Sequence, residues 1–192
     1  LFGLGMGFDL GKENEFYANL SQGYRPKAYD DLANPTSNAQ RAPKDFEESR
    51  TWNYEAGFRG QPAPWFLYDT SVFFTDYDNY AENLSLGGGN FERSNSGRAL
   101  FGGWEAMAEV DTIGFWDKLK GTGLGEKIGS LGPYGNIQLL DAKFVNGANK
   151  GKVPAYAPEY VVKWGLAYHL RKIFHASLSS VFVADHYWQD SN

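Results

Sequence analysis

Apolar residues alternate with small or polar ones at every second position, and this feature limits the possible fold of the chain more than any other. In residues 1–10, LFGLGMGFDL, Phe, Leu or Met stands at each even position, and Gly or Asp stands at each odd position from Gly3 to Asp9. Side chains of an extended strand point in turn to opposite faces. The period of two therefore predicts a β-strand with one apolar face.

The same alternation returns along most of the chain and predicts an all-β protein of about eight strands. The predicted strands lie at 1–10, 15–25, 51–60, 66–80, a segment that ends near 110, 134–144, 162–170 and 173–187. The pattern of the last strand is ambiguous, and its apolar face is expected to comprise Phe174, Ala176, Leu178 and Phe182. Residues 111–133 are less regular and are expected to hold one short amphipathic turn with Ile113, Phe115, Trp116 and Leu119.

The connections between these strands alternate between short and long. Tight turns are predicted at 11–14, 61–64 and 171–172, and long polar or Gly-rich loops at 26–50 and 83–96. A third loop, with Gly147, Gly151, Pro154 and Pro158, follows the sixth strand. Outer-membrane barrels have short periplasmic turns and longer outside loops in this order. Segment 111–133 departs from the pattern, because it is long where a short turn is expected.

The two faces of the predicted strands differ in charge. The apolar faces of the six clearest strands carry no charged residue, and a Lys or Arg that faces lipid at mid-bilayer costs about 2–4 kcal/mol. The opposite faces carry the charges Asp9, Glu55, Arg59, Asp69, Glu105, Glu109 and Lys163. Aromatic residues make up 17% of the chain, while its mean hydropathy is only −0.48. Segregation of this kind predicts a transmembrane antiparallel up-and-down β-barrel, with a soluble lectin-like β-sandwich as the alternative.

Several classes of function are disfavoured by composition and motifs. The formal charge of −5 argues against a nucleic-acid-binding surface, and no Ser-His-Asp or Cys-His arrangement is evident, so we expect no enzyme activity. The three histidines do not predict a zinc site, and no cofactor is expected. Asp76, Asp78 and Asn79 have oxygen ligands suited to calcium, although a loop turn accounts for them better.

Six segments, taken in order, resemble the barrel of TonB-dependent outer-membrane receptors. The residues that carry the resemblance are EFYANLSQGYRP (15–26), NYEAGFRG (53–60), LYDTSVFFTDYDNY (67–80), SGRALFGGWEAMAEV (96–110), VPAYAPEYVVKWGLAYHL (153–170) and VADHYWQDSN (183–192). Gly103 and Glu105 match the Gly-x-Glu element of one family strand. No single motif is specific, but their order and spacing agree over nearly the whole chain.

The resemblance implies a barrel of about 22 strands around an amino-terminal plug, of which this chain would form about strands 12 to 19. Residues 1–192 would then be part of one β-barrel domain, with the plug, the TonB box and about three closing strands outside this chain. It further implies a Gram-negative outer-membrane receptor that imports a ferric siderophore or ferric citrate with energy supplied through TonB. Its partners would be the TonB system, the ferric chelate, and outer-membrane lipid and lipopolysaccharide.

Four arginines near the outside ends of strands or in loops are candidate ligand contacts. They are Arg25, Arg41, Arg50 and Arg98. A guanidinium binds carboxylates through two parallel hydrogen bonds, which suits citrate and hydroxy-acid chelators. Each arginine also has a simpler interpretation, in which it pairs with a nearby Asp or Glu or is only solvated. A passive porin or sugar channel is the alternative function within the membrane.

Overall fold

The computed structural model describes residues 1–27, 40–41, 46–87, 90–95, 97–170 and 173–190. Eight strands form one antiparallel sheet in the order β1-β2-β4-β5-β8-β9-β10-β11. Their bounds are β1 Gly3–Gly11, β2 Asn14–Arg25, β4 Ser49–Ala63, β5 Phe66–Asp78, β8 Ala99–Val110, β9 Ser130–Phe144, β10 Tyr160–Leu170 and β11 Phe174–Val183. Within this sheet, each strand pairs with the one that follows it along the chain. This order confirms the predicted up-and-down meander.

A second, three-stranded sheet lies among the long connections, with the order β3-β7-β6. Its strands are β3 Gln40–Arg41, β6 Ala81–Gly87 and β7 Asn90–Asn95. The prediction of a loop at 83–96 was therefore wrong, since most of this segment forms an antiparallel hairpin. Gly87 to Gly89 marked it as irregular, but Gly87 ends β6 and 88–89 lie outside the described residues. In the predicted loop 26–50, residues 28–39 and 42–45 also lie outside them.

Residues 111–129 contain two short helices, α1 Thr112–Lys120 and α2 Leu124–Ile128. The single turn expected here is thus a helix pair, and β9 begins at Ser130 rather than near 134. Asp111 caps α1, because its carboxylate accepts from the Ile113 amide at 3.2 Å. Gly121 then ends α1 with φ 63, a left-handed conformation that glycine adopts without strain.

Short and long connections alternate as predicted, apart from this helix pair. The turn after β1 has positive φ at Lys12 and Glu13, as a tight hairpin requires, and only 64 and 65 separate β4 from β5. The predicted turn at 171–172 lies outside the described residues. We call the end of the sheet with these turns the short-turn end, and the opposite end the long-loop end.

The register aligns the predicted apolar faces into one continuous surface across the sheet. One row runs through the cross-strand partners Phe8, Phe16, Phe58 and Thr70, and another through Met6, Ala18, Ala56, Val72, Trp104 and Leu139. The favoured face of the last strand is also confirmed, because Leu178 and Phe182 oppose Leu166 and Val162. In β5 this face carries no charged residue from Phe66 to Phe74, and its first charged residue is Asp76. The uncharged stretch is about as long as a strand that crosses a bilayer.

This apolar surface is exposed, which argues against the soluble sandwich. Trp164 is 55% exposed, Val72 56% and Phe8 62%, whereas a sandwich would bury such residues against a second sheet. The largest fully buried side chains, Phe144, Pro154 and Ser49, lie instead near the long-loop end. Among the residues that the structure describes, no helix is long and apolar enough to cross a membrane.

Candidate functional site

The polar face of the sheet carries a network of side chains centred on Tyr17. The Tyr17 hydroxyl lies 3.2 Å from a carboxylate oxygen of Glu55 and 3.1 Å from one of Asp69. Tyr17 comes from β2, Glu55 from β4 and Asp69 from β5, so the network joins three neighbouring strands. Tyr17 is only 9% exposed, and its single hydroxyl proton is available to either of the two carboxylates.

An ion pair and a hydrogen-bonded pair continue this polar face on both sides of Tyr17. Towards the short-turn end, the Arg59 guanidinium donates to Glu15 at 2.8 Å and lies 5.0 Å from the centre of the Tyr17 ring. Further across the sheet, the Gln138 amide donates to Glu105 at 2.8 Å. The face thus presents hydrogen-bonding groups over at least five strands.

Two open clefts lie on this polar face. The larger one, of about 670 Å³, lies at the short-turn end and is bordered by Asp9, Glu15, Arg59 and Asp69. The smaller one, of about 300 Å³, lies between Tyr17, Glu55, Glu105 and Asn136. Carboxylates outnumber cations in both, so the face is suited to solvated or hydrogen-bonding partners rather than to an apolar ligand.

The long-loop end is held together by two asparagines and Glu47. The Asn95 side chain accepts from the Glu47 amide at 2.6 Å and donates to the carbonyls of Glu47 and Asn79 at 3.1 and 2.9 Å. The Asn79 side chain donates to the Glu47 carboxylate at 2.9 Å. These bonds connect the segment before β4 to the β6–β7 hairpin, so two long connections form one unit.

The four candidate arginines occupy different environments. The register of β2 places Arg25 on the polar face, in the same parity as Tyr17, opposite Ser49. Arg50 opposes Tyr24 and Asp78 and follows the parity of the apolar face. Arg41 lies in β3 with Glu92 as its parallel partner, and its side chain is not described. The structure therefore brings Arg25 and Arg50 to one end of the sheet but to opposite faces.

Arg98 forms an ion pair with Asp76. Its Nε donates to the Asp76 carboxylate at 2.6 Å, and a second guanidinium nitrogen contacts the other carboxylate oxygen. This is the pairing with a neighbouring acid that the simpler interpretation of these arginines predicts. A role of Arg98 in ligand binding stays a prediction.

Two of the three possible calcium ligands, Asp76 and Asn79, have other contacts. Asp76 binds Arg98, and Asn79 contacts Glu47 and Glu48. Asn79 also has a positive φ of 53, which fits the turn that the sequence favours. Across the described ranges, no group of three or more His, Asp or Glu side chains is arranged to hold a metal ion.

Comparison with known proteins decides the family. A family model described as TonB dependent receptor-like, beta-barrel, matches residues 1–192. The chain belongs to this TonB-dependent receptor family. The family consists of transport receptors rather than enzymes, and its barrels lie in the outer membrane of Gram-negative bacteria. The match also gives the sheet its orientation, because such barrels have long loops outside and short turns in the periplasm.

Solved structures of receptors share this fold. The ferric yersiniabactin uptake receptor FyuA from Yersinia pestis matches with a TM-score of 0.70 and 18% identity, over 99% of this chain and 26% of that one. The ferric citrate transporter FecA in its unliganded form matches with a TM-score of 0.68 and 19% identity, over 99% and 26%. The copper transporter OprC matches with a TM-score of 0.64 and 14% identity, over 88% and 24%. The chain thus spans about a quarter of the length of these proteins.

The Tyr17 network and the Asn79–Asn95 contacts were not predicted from the sequence. The alternation placed Glu55, Asp69 and Glu105 on the polar face, and this signal was present for Tyr17 as well. Which polar groups meet depends on the register between strands, and alternation within one strand does not determine it.

Proposed function

We propose that this chain is part of the wall and outside loops of an outer-membrane receptor that imports a metal chelate, of the ferric siderophore or ferric citrate type. The match of the receptor family to residues 1–192 is the observation that carries the proposal. The receptor would be a multi-pass β-barrel in the Gram-negative outer membrane, with energy supplied through TonB.

The structural neighbours support this class of cargo. FyuA is a ferric yersiniabactin uptake receptor and FecA a ferric citrate transporter. OprC is a copper transporter, so the shared fold by itself does not select iron. The neighbours therefore support transport of a metal species in general, and we propose an iron chelate as the cargo.

The two faces of the sheet suit such a receptor. The apolar surface would contact lipid and the hydrocarbon part of lipopolysaccharide, while the polar face with Tyr17, Glu55 and Asp69 would border the plug. In this arrangement the chain makes and breaks no bond in the cargo. It would provide the wall, the loops that recognise the chelate, and the surface along which the plug moves.

Arg25 is the strongest of the four arginine candidates in this proposal. It lies at the long-loop end and on the polar face, where a chelate would pass. A guanidinium at this place can bind a chelate carboxylate through charge-assisted hydrogen bonds. Arg50 has the parity of the apolar face of the sheet. Arg98 pairs with Asp76, which has that parity too.

Uptake of labelled iron would test the proposal. A strain that lacks the full-length receptor is compared with the same strain carrying it, using radioactive iron as ferric citrate, as catecholate chelates and as hydroxamate chelates. We expect one class to require the receptor and to lose its uptake in a strain without TonB and after treatment with a protonophore. Uptake that needs the receptor but not TonB or the proton gradient would support the passive channel instead. Receptor-independent uptake of all iron chelates, with receptor-dependent uptake of copper, would contradict the choice of iron.

A further inference from the structure

The helix pair at the short-turn end exposes an apolar surface that the barrel wall does not cover. Phe115 is 39% exposed, Trp116 49% and Leu119 59%. At 3.6 residues per turn, these three side chains fall within an arc of about 100° on α1. Lys118 and Lys120 stand on either side of that arc, so the helix has an apolar strip with a cation along each edge.

Two of the three acidic side chains of the segment bind backbone amides within it. Asp111 accepts hydrogen bonds from the amides of Ile113 and Leu131 at 3.2 and 3.3 Å. Asp117 accepts from the amides of Leu124 and Gly125 at 2.7 and 2.6 Å. The segment as a whole carries no net charge, because Lys118, Lys120 and Lys127 balance Asp111, Asp117 and Glu126. Lys118 and Lys120 are the charges that border the strip.

The apolar strip is continuous with the lipid-facing surface of the sheet. Phe66 and Tyr68, both on the apolar face of β5, stack with ring centres 5.8 Å apart. Trp65 lies 6.1 Å from Phe66 and 4.8 Å from Phe115, ring centre to ring centre. A row of aromatic rings therefore leads from the transmembrane face to α1.

A second contact holds α2 on the same side of the wall. The hydroxyl of Tyr168, which belongs to the apolar face of β10, donates to the carbonyl of Ile128 at 2.5 Å. The α1–α2 segment is therefore fixed to the outer, lipid-facing side of the wall at two separate places, Phe115 and Ile128.

We propose that α1 and α2 form a membrane-surface anchor that lies in the periplasmic headgroup region of the outer membrane. Phe115, Trp116 and Leu119 would enter the boundary between headgroups and acyl chains, as interfacial amphipathic helices do. Lys118, Lys120 and Lys127 would bind anionic phospholipid headgroups, with their aliphatic stems along the apolar layer. The anchor rests on the proposed transmembrane barrel. It assigns a function to the connection between β8 and β9, which is too long to be a simple turn.

The test uses the full-length receptor in vesicles of phosphatidylethanolamine and phosphatidylglycerol, with one reactive cysteine carrying an environment-sensitive fluorophore. Residues 1–192 contain no Cys, so each label can be placed singly within them. The three sites are Leu119 on the strip, Val72 on the transmembrane face and Gln61 near the neighbouring short turn. Lipids with a spin label near the headgroup serve as quenchers, and iodide serves as the aqueous quencher.

We expect the label at L119C to be quenched by the spin-labelled lipid at least about twofold more strongly than the label at Q61C. Equal quenching at these two sites, with strong quenching at V72C, would overturn the anchor and leave the barrel intact. Absence of lipid quenching at V72C would contradict the transmembrane wall itself, so the two failures are distinguishable.

The lysines have a test of their own in the same vesicles. The double variant Lys118→Glu, Lys120→Glu is expected to reduce lipid quenching at L119C in vesicles with phosphatidylglycerol, and to have less effect in vesicles of phosphatidylcholine alone. Unchanged quenching in both would overturn the assignment of these lysines to anionic headgroups. Protection of L119C from both quenchers would show that a protein, rather than lipid, covers the strip, and would overturn the anchor.

Discussion

Tyr17 lies across the backbone of Gly57, its direct cross-strand partner on the polar face. A Cβ atom at Gly57 would lie 2.7 Å from the Tyr17 ring and hydroxyl, and 2.5 Å from the carbonyl oxygen of Thr70. Tyr134 has the same relationship with its partner Gly165, where a Cβ would lie 2.4 Å from the ring. Glycine on one strand thus leaves room for a flat aromatic ring from the next, which covers the backbone that glycine exposes.

Gly57→Ala is expected to destabilise the barrel by about 1–3 kcal/mol, because the added methyl group meets both a backbone oxygen and the Tyr17 ring. The measurement is urea unfolding of the full-length receptor in detergent, followed by heat-modifiable migration on a gel. Gly135→Ala is the matched control, since a Cβ at Gly135 would meet nothing within 4 Å. Equal stability of the two variants would show that Tyr17 moves aside easily and does not depend on this glycine.

Much of the fold follows from alternation, because the two faces of each strand differ in charge. Even the weak pattern of the last strand predicted the face of Phe174 and Leu178 correctly. Its predicted end at 187 was too late, since β11 ends at Val183 and Tyr187 and Trp188 lie beyond it. Alternation of side chains does not show where backbone pairing stops, so strand ends are the less certain part of such a prediction.

The pairing of residues that are distant in sequence could not be predicted. Tyr17 meets Gly57 through the register between β2 and β4, which are far apart along the chain, and it reaches Asp69 through the register between β4 and β5. The helix pair was missed for a different reason. Asp111, Gly121 and Gly123 are good signals of helix ends, but the segments between them are too short to show a clear helical period.

Asp117 is expected to make the helix pair sensitive to acid. Hydrogen bonds from Thr122 and from the amides of Gly125 and Leu124 lower the pKa of the Asp117 carboxyl below its usual value, with Lys127 acting in the same direction. A lowered pKa in the folded state means that the stabilisation is present above the unfolded value and is lost as pH falls through the folded value. We therefore expect the helix pair to be ordered at neutral pH and to loosen below the usual carboxyl range.

Hydrogen–deuterium exchange of the segment 121–129 in the full-length receptor would measure this effect. At neutral pH, Asp117→Asn should raise exchange at the Leu124 and Gly125 amides, since a neutral amide oxygen is a weaker acceptor than a carboxylate. Glu126→Gln is the control, because Glu126 accepts neither of these amide bonds. Unchanged protection in Asp117→Asn would contradict a role of this charge.

Arg25→Ala is expected to weaken chelate binding by about tenfold or more, because a charge-assisted hydrogen bond contributes about 1.5–3 kcal/mol. Arg98→Ala should affect binding less, since Arg98 pairs with Asp76, which has the parity of the apolar face, whereas Arg25 has the parity of the polar face. Equilibrium binding of the labelled chelate identified by the uptake assay, measured on isolated outer membranes, compares the two. A larger loss in Arg98→Ala than in Arg25→Ala would reverse the ranking of the two arginines.

Asn95→Ala is expected to loosen the outside loops, because it removes three hydrogen bonds to Glu47 and Asn79. Faster cleavage between β5 and β8 by a protease added to intact cells would report the change. Asn95→Asp keeps the acceptor for the Glu47 amide and loses the two donated bonds, so an intermediate rate is expected. If both variants are cleaved at the wild-type rate, the contacts of Asn95 do not hold the two connections together.

Val72→Lys is expected to impair assembly of the barrel, whereas Gln138→Lys is expected to be tolerated. Val72 lies on the exposed apolar face, and a lysine there would face the middle of the bilayer at a cost of about 2–4 kcal/mol. Gln138 lies on the polar face beside Glu105, to which a lysine can also donate. The amount of folded, heat-modifiable receptor in isolated outer membranes separates these outcomes. Because both variants add the same charge, a similar loss in the two would indicate that the charge itself, and not the face it occupies, limits assembly.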